Sequence, residues 1–159
     1  MSVDLALQWE LEALYARCAE ALDDGPLEDW PEYFTEQCLY LIIPRENVEL
    51  GLPLAIMRCE SRDMLRDRVS AIRETMMYEP RYLRHHVTNL RVRHRAENRV
   101  DASANFSVLE VLPEALPRIL MCGRYLDRVL LEADGQWRFA ERKCVYDSTL
   151  VPNSVIYPV

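Results

Sequence analysis

Val100-Asp-Ala-Ser-Ala-Asn-Phe-Ser-Val108 decides the fold of this chain. Val100, Ala102, Ala104, Phe106 and Val108 alternate with Asp101, Ser103, Asn105 and Ser107. A period of two means a half-buried antiparallel strand with one face on a core and the other toward water. The same period starts upstream at Leu83. Downstream, Leu120 to Leu131 reads as a longer strand with apolar residues on both faces. Glu132-Ala-Asp-Gly135 turns the chain, and Trp137 to Tyr146 returns as the second arm of a hairpin.

Before these strands the spacing is helical. Leu7, Leu11, Leu14, Tyr15, Cys18 and Leu22 form one apolar stripe on a helix from about Asp4 to Asp23, ended by Asp24-Gly25-Pro26. A short second helix carries Leu27, Trp30, Tyr33 and Phe34, and Cys38 to Ile43 reads as a strand stopped by Pro44. Pro44 to Pro53 reads as a loop. A further helix then starts at an N-cap Ser61, with Met64, Leu65, Val69, Ile72 and Met76 on one face, and Tyr78-Glu-Pro80 breaks it. Helices followed by a run of hairpin strands predict an α+β fold, with the helices packed on one face of a curved antiparallel sheet that closes into a cone.

The 159 residues fit a single domain, 1–159. Half of them are hydrophobic and only 4 are glycine, which argues against disorder. A net charge of -7 argues against a nucleic-acid partner. Arg91, Arg93, Arg95 and Arg99, with Glu97 and Asp101 among them, read as a solvated strand edge. The carboxylates of Asp23, Asp24, Glu28, Asp29 and Glu32 read as solvated helix faces. No apolar run approaches the ~20 residues of a membrane span. The N-terminus has neither the basic start nor the apolar run of a signal peptide. Five widely spaced cysteines form no Cys-x-x-Cys pair, so free thiols in a reducing cytoplasm are expected.

No catalytic, cofactor or metal constellation stands out. His85 and His86 are adjacent, so on a strand they point to opposite faces and cannot share a metal. His94 lies about 26 Å further along an extended strand from His86. There is no glycine-rich phosphate loop and no Gly-x-Ser-x-Gly elbow. His85 or His86 would serve as an acid or base in the cone, aided by Tyr40, Asp67 or Tyr125; the favoured reading is a histidine satisfied by backbone carbonyls or a subunit contact, because no carboxylate stands at a spacing that orients either ring. The final segment, Leu150-Val-Pro-Asn-Ser-Val-Ile-Tyr-Pro-Val159, is apolar and aromatic where free termini are usually polar, the composition of a tail that docks.

Four blocks in order carry a family resemblance. They are Trp30-Pro-Glu-Tyr-Phe-Thr-Glu-Gln-Cys-Leu-Tyr40, Asp63-Met-Leu-Arg-Asp-Arg-Val-Ser-Ala-Ile-Arg73, Tyr82-Leu-Arg-His-His86, and Arg142-Lys-Cys-Val-Tyr-Asp-Ser-Thr149 with its apolar tail. Across essentially its whole length the chain resembles the small (beta) subunit of Rieske-type aromatic-ring-hydroxylating oxygenases. Pro44-Arg-Glu-Asn-Val-Glu-Leu-Gly-Leu-Pro-Leu54 and Pro152-Asn-Ser-Val-Ile-Tyr-Pro158 look most like subunits acting on carboxylated single-ring aromatics, such as those of salicylate 5-hydroxylase and of terephthalate and anthranilate dioxygenases.

The resemblance implies a nuclear-transport-factor-2-like, cystatin-like cone and a non-catalytic, structural role. It implies a hexamer of three large and three small chains, with small–small contacts as well. The large subunit would carry a Rieske [2Fe–2S] cluster and a mononuclear Fe(II), served by ferredoxin and an NAD(P)H reductase. This chain contains neither Cys-x-His nor Cys-x-x-His, so it cannot hold that cluster. Candidate contact residues are Arg45, Glu46 and Asn47, then Arg84, His85 and His86, and in the tail Asn153, Ile156 and Tyr157. The competing reading is a stand-alone cone-fold isomerase or dehydratase using His85 or His86. The two differ in what fills the cone, and Leu120, Leu126, Leu130 and Phe106 are expected to fill it.

Overall fold

The computed structural model describes residues 4–151 and 155–159. Helix α1, Leu5–Asp23, is capped by Asp4, whose side chain accepts the Leu7 N–H at 3.2 Å. The apolar stripe, with Ala21 added, is its buried face. Gly25, at φ +80°, returns its N–H to the Glu20 carbonyl at 3.1 Å and closes the helix. A 3₁₀ segment, Leu27–Tyr33, leads into strand β1, Phe34–Pro44. Where a loop was expected, α2 occupies Arg45–Glu49, begun by Pro44, whose fixed φ suits a helix start. Strand β2, Met57–Cys59, precedes helix α3, Arg62–Glu74, and Ser61 caps α3 as expected by accepting the Met64 N–H at 3.2 Å. The remaining strands are β3, Tyr82–Ala96, β4, Arg99–Val111, β5, Arg118–Leu131, and β6, Trp137–Tyr146.

The six strands form one sheet in the order β2-β1-β6-β5-β4-β3. Every neighbouring pair is antiparallel except β1 and β6, which run parallel. A parallel pair needs a long crossover, and here the crossover is most of the molecule. The helices cover one face. Val100, Ala102, Ala104, Phe106 and Val108 turn toward them, as the alternation requires.

On β5 the expectation holds only in part. Leu120 packs against the core, whereas Leu126 is exposed and Leu130 is only half-buried; Met121, Tyr125, Asp127 and Val129 form the buried set. A strand apolar on both faces does not declare its inner set, so cross-strand register decides it. Gly123 opposes both Phe106 and Tyr146, on the same face as Tyr125. The interior is filled by Trp30, Phe34, Tyr40, Tyr125 and Phe139, all fully buried. Their rings meet edge-on or tilted: Trp30 and Tyr40 lie 5.2 Å apart, Phe34 and Phe139 5.5 Å.

An ion pair sits inside this aromatic packing. Arg142 donates to Asp127 at 2.9 and 3.1 Å, and the Tyr15 hydroxyl donates to the same carboxylate. The guanidinium lies 3.8 Å from the Phe139 ring centre and 4.1 Å from that of Tyr125. Burial pushes the Asp127 carboxyl up from its ordinary value, and Arg142 and Tyr15 oppose that shift; Arg142 stays cationic beside it. A second buried carboxylate, Glu110, is gripped by Arg81 at 2.7 Å and Arg118 at 2.6 Å. It ties the paired ends of β4 and β5 to the segment entering β3.

Two predictions follow from this packing. A Cβ on Gly123 would lie 1.9 Å from the Val145 carbonyl oxygen, which is backbone and has little room to yield. Gly123→Ala is therefore expected to cost about 2–3 kcal/mol in chemical denaturation. Asp127→Ala, which strands a buried guanidinium, is expected to cost about 3–5 kcal/mol. The double replacement Asp127→Leu with Arg142→Met should cost clearly less, and equal losses would show that the pair is not what the core depends on.

Candidate subunit-contact surface

The outer face of the sheet carries a small apolar cluster of Leu41, Ile43 and Val145, with Leu39 and Ala55 against it. Ala55 belongs to the segment after α2, which turns back on the sheet, the Ile56 N–H bonding the Ile42 carbonyl at 2.8 Å. Asn47 donates to the Leu54 carbonyl at 2.7 Å and shapes the turn. Arg45 reaches Asp147 beyond β6 at 3.0 Å. This leaves Val48, Leu50, Leu52, Leu54 and Ile56 exposed, Leu54 at 76%. Glu46 is exposed beside them. Leu150, at 83% exposure, stands beside Ile119 round a hollow of about 300 Å³. Contiguous exposed side chains of this kind mark surfaces that meet another protein.

The other sequence candidates are placed differently. Arg84 is exposed but pairs within the chain, to Asp24 at 2.6 Å. His85 turns inward, its side chain 1% exposed, while His86 faces out. The expectation that no carboxylate orients the His85 ring is corrected: Asp23, 62 positions earlier, accepts from Nδ1 at 2.5 Å and from the backbone N–H at 2.8 Å. Spacing along one strand could not show this, because the partner comes from α1. Nor do the suggested helpers surround His85. Tyr40 bonds both the N–H and the carbonyl of Val159, Tyr125 stacks on Phe106 at 4.5 Å, and Asp67 lies on the exposed face of α3.

The tail docks on its own chain. Asn153 lies outside the described residues. Ile156 and Tyr157 pack against the core, and Val159 is 1% exposed. Arg68 of α3 donates to the carbonyls of Val155 at 2.8 Å and Ile156 at 3.1 Å. The Tyr157 and Tyr78 hydroxyls bond at 2.9 Å, and burial with this contact pushes the Tyr157 hydroxyl up to about 12.

The acidic residues of the first helical hairpin are not merely solvated: Glu28 pairs with Arg73 at 2.9 Å and Glu32 with Arg66 at 2.7 Å. Arg95, on the edge strand β3, pairs with Asp4, and Arg99 pairs with Asp101 on β4. Burial raises the Cys18 and Cys38 thiols to about 11 and Cys144 to about 12, far from nucleophilic. Among the described residues no group of three or more His, Cys, Asp or Glu could hold a metal ion, and no helix is long and apolar enough to cross a membrane.

Aromatic rings fill the centre of the cone, and an exposed apolar segment lies outside it. Comparison with known proteins places the chain. The family model described as "Ring hydroxylating beta subunit" matches residues 17–153. The chain is 33% identical to the anthranilate 1,2-dioxygenase small subunit of Burkholderia cepacia, over all of this chain and 98% of that one. It is 32% identical to a terephthalate 1,2-dioxygenase terminal oxygenase beta subunit of Comamonas sp, over 94% and 97%. A solved beta subunit assigned to an aromatic-ring-hydroxylating dioxygenase of Novosphingobium aromaticivorans superposes with a TM-score of 0.88, 33% identity and 98% coverage of both chains. The chain belongs to the ring-hydroxylating beta-subunit family. It is a small subunit of a multicomponent aromatic-ring oxygenase, and its partner is a large subunit.

Arg68 provides the test of how the tail is held. Arg68→Met is expected to remove about 1.5–3 kcal/mol of hydrogen bonding to the tail carbonyls. Limited proteolysis should then cut within residues 148–157 faster than in the parent chain, with α1 and the sheet still protected.

Proposed function

We propose that this chain is the non-catalytic, structural small subunit of a Rieske oxygenase that hydroxylates a carboxylated single-ring aromatic such as anthranilate or terephthalate. The observation that carries the reading is full-length similarity to small subunits of two such enzymes, in a chain whose centre is filled by Trp30, Phe34, Tyr40, Tyr125 and Phe139. A stand-alone isomerase or dehydratase would need an open pocket with convergent polar groups; the aromatic rings fill the centre of the cone, and a groove of about 610 Å³ remains between α1 and β3. On this reading the Rieske [2Fe–2S] cluster and the mononuclear Fe(II) reside on the large subunit, with ferredoxin and reductase supplying electrons from NAD(P)H. The assembly is three large and three small chains in the cytoplasm.

The contact surface is built on α2 and the segment after it, including Arg45, Glu46 and Asn47, and continues through Asp147 to Leu150. Arg84, His86 and the tail residues Asn153, Ile156 and Tyr157 are the further candidates. His85 contributes from inside by holding β3 to α1.

The test is co-expression with the large subunit, followed by measurement of complex mass and visible spectrum. The parent chain is expected to purify as a coloured hetero-oligomer. Leu54→Glu with Leu150→Glu, both on exposed positions, should leave the small subunit folded and weaken assembly by about 30-fold or more, the scale of losing an interface hot spot. A doubly substituted chain that assembles normally would move the interface elsewhere. A parent chain that purifies alone and colourless would remove the proposal.

A further inference from the structure

We propose that the groove between α1 and β3 is a ligand site that binds a small, neutral, single-ring molecule through a hydroxyl group donating to Nε2 of His85. The inference is independent of the subunit reading, since every group it uses belongs to this chain.

The starting point is an incomplete histidine. Asp23 takes both the Nδ1 proton and the backbone N–H of His85, so the carboxylate fixes the ring's orientation and tautomer. In the neutral ring Nε2 is then an acceptor. It is buried and, among the described residues, has no hydrogen-bond partner. Buried polar atoms nearly always have a partner, because leaving one unmet is costly. His85 is one of the residues lining an adjoining space, from which a donor can approach.

That space is a groove of about 610 Å³, within the range that holds small ligands. Tyr15, Ala16 and Ala19 of α1 face Val87 and Leu90 of β3 across it, giving apolar walls suited to a flat ring. The two alanines keep the helix side thin. On the strand side, β3 breaks register between Thr88 and Arg91, and Asn89 adopts φ +57°. Bulges of this kind re-aim side chains and recur beside binding sites.

Charge selects the ligand class. Glu12, Glu20, Asp23 and Asp24 all line the groove, and no lysine or arginine does. Arg84 reaches the edge only to neutralise Asp24. A carboxylate ligand would meet like charges and find no cation. A phenolic hydroxyl meets one acceptor, Nε2, and two apolar walls.

Nuclear magnetic resonance of the full chain labelled with ¹⁵N-histidine tests this, with His85→Gln used to assign the His85 signals. Phenol is the probe and benzoate its anionic counterpart. Phenol is expected to move the His85 Nε2 resonance saturably, and benzoate to bind at least tenfold more weakly. Ala19→Leu narrows the groove without touching the dyad. It should weaken phenol at least tenfold while the unliganded His85 signals keep their positions, which shows that the fold is intact. If phenol up to its solubility leaves Nε2 unmoved in the parent chain, water completes the histidine and the proposal is wrong. Equal binding of benzoate would overturn the selectivity.

Discussion

The buried pair of Asp127 and Arg142, with Tyr15 closing it, is the constraint around which this subunit is organised. It links β5 to β6 and both to α1, so the helix cannot shift on the sheet without breaking a bond to a buried charge. Such a pair contributes little net stability when measured against an apolar replacement. What it gives is a single acceptable arrangement, because the guanidinium also needs the faces of Phe139 and Tyr125. The aromatic packing and the ion pair therefore fix each other. A cone closed in this way presents a rigid outside, which is what a subunit that works by contact requires.

The same logic extends outward by smaller ties. Glu110 joins strand ends to the entry of β3 through two arginines, and Arg68 holds the tail through its carbonyls. Arg45 bridges two surface segments that are distant in sequence. The exposed ties are worth little singly; their use is positional, since they decide which apolar side chains remain uncovered.

Much of the fold was legible because it rests on period. The stripe on α1, the Ser61 cap and the alternation of β4 each follow from local chemistry, and each is present. Legibility ended where partners are remote in sequence. The inner set of β5 could not be told from Leu120 to Leu131, because both faces are apolar and register with β4 and β6 makes the choice. The parallel pairing of β1 with β6 left no local mark. At the candidate surface, the tail's apolar character correctly announced docking, but not that its own chain receives Ile156 and Tyr157. His85 was singled out, yet Asp23, its orienting carboxylate, reads in sequence as one more acid on a helix. Only the juxtaposition of α1 with β3 turns that acid into a dyad.

The end of α1 has a consequence for how the chain acquires its structure. A helix C-terminus carries partial negative charge, and α1 places two aspartates there with no basic residue in its last turn. Its end is thus self-repelling until His85 and Arg84 arrive from β3, across 62 and 60 positions of chain. Helix α1 is in this sense unfinished when made. Its final turn settles only after a long loop has closed, which couples early helix formation to late strand pairing and makes the hinge of α1 and β3 a cooperative folding joint.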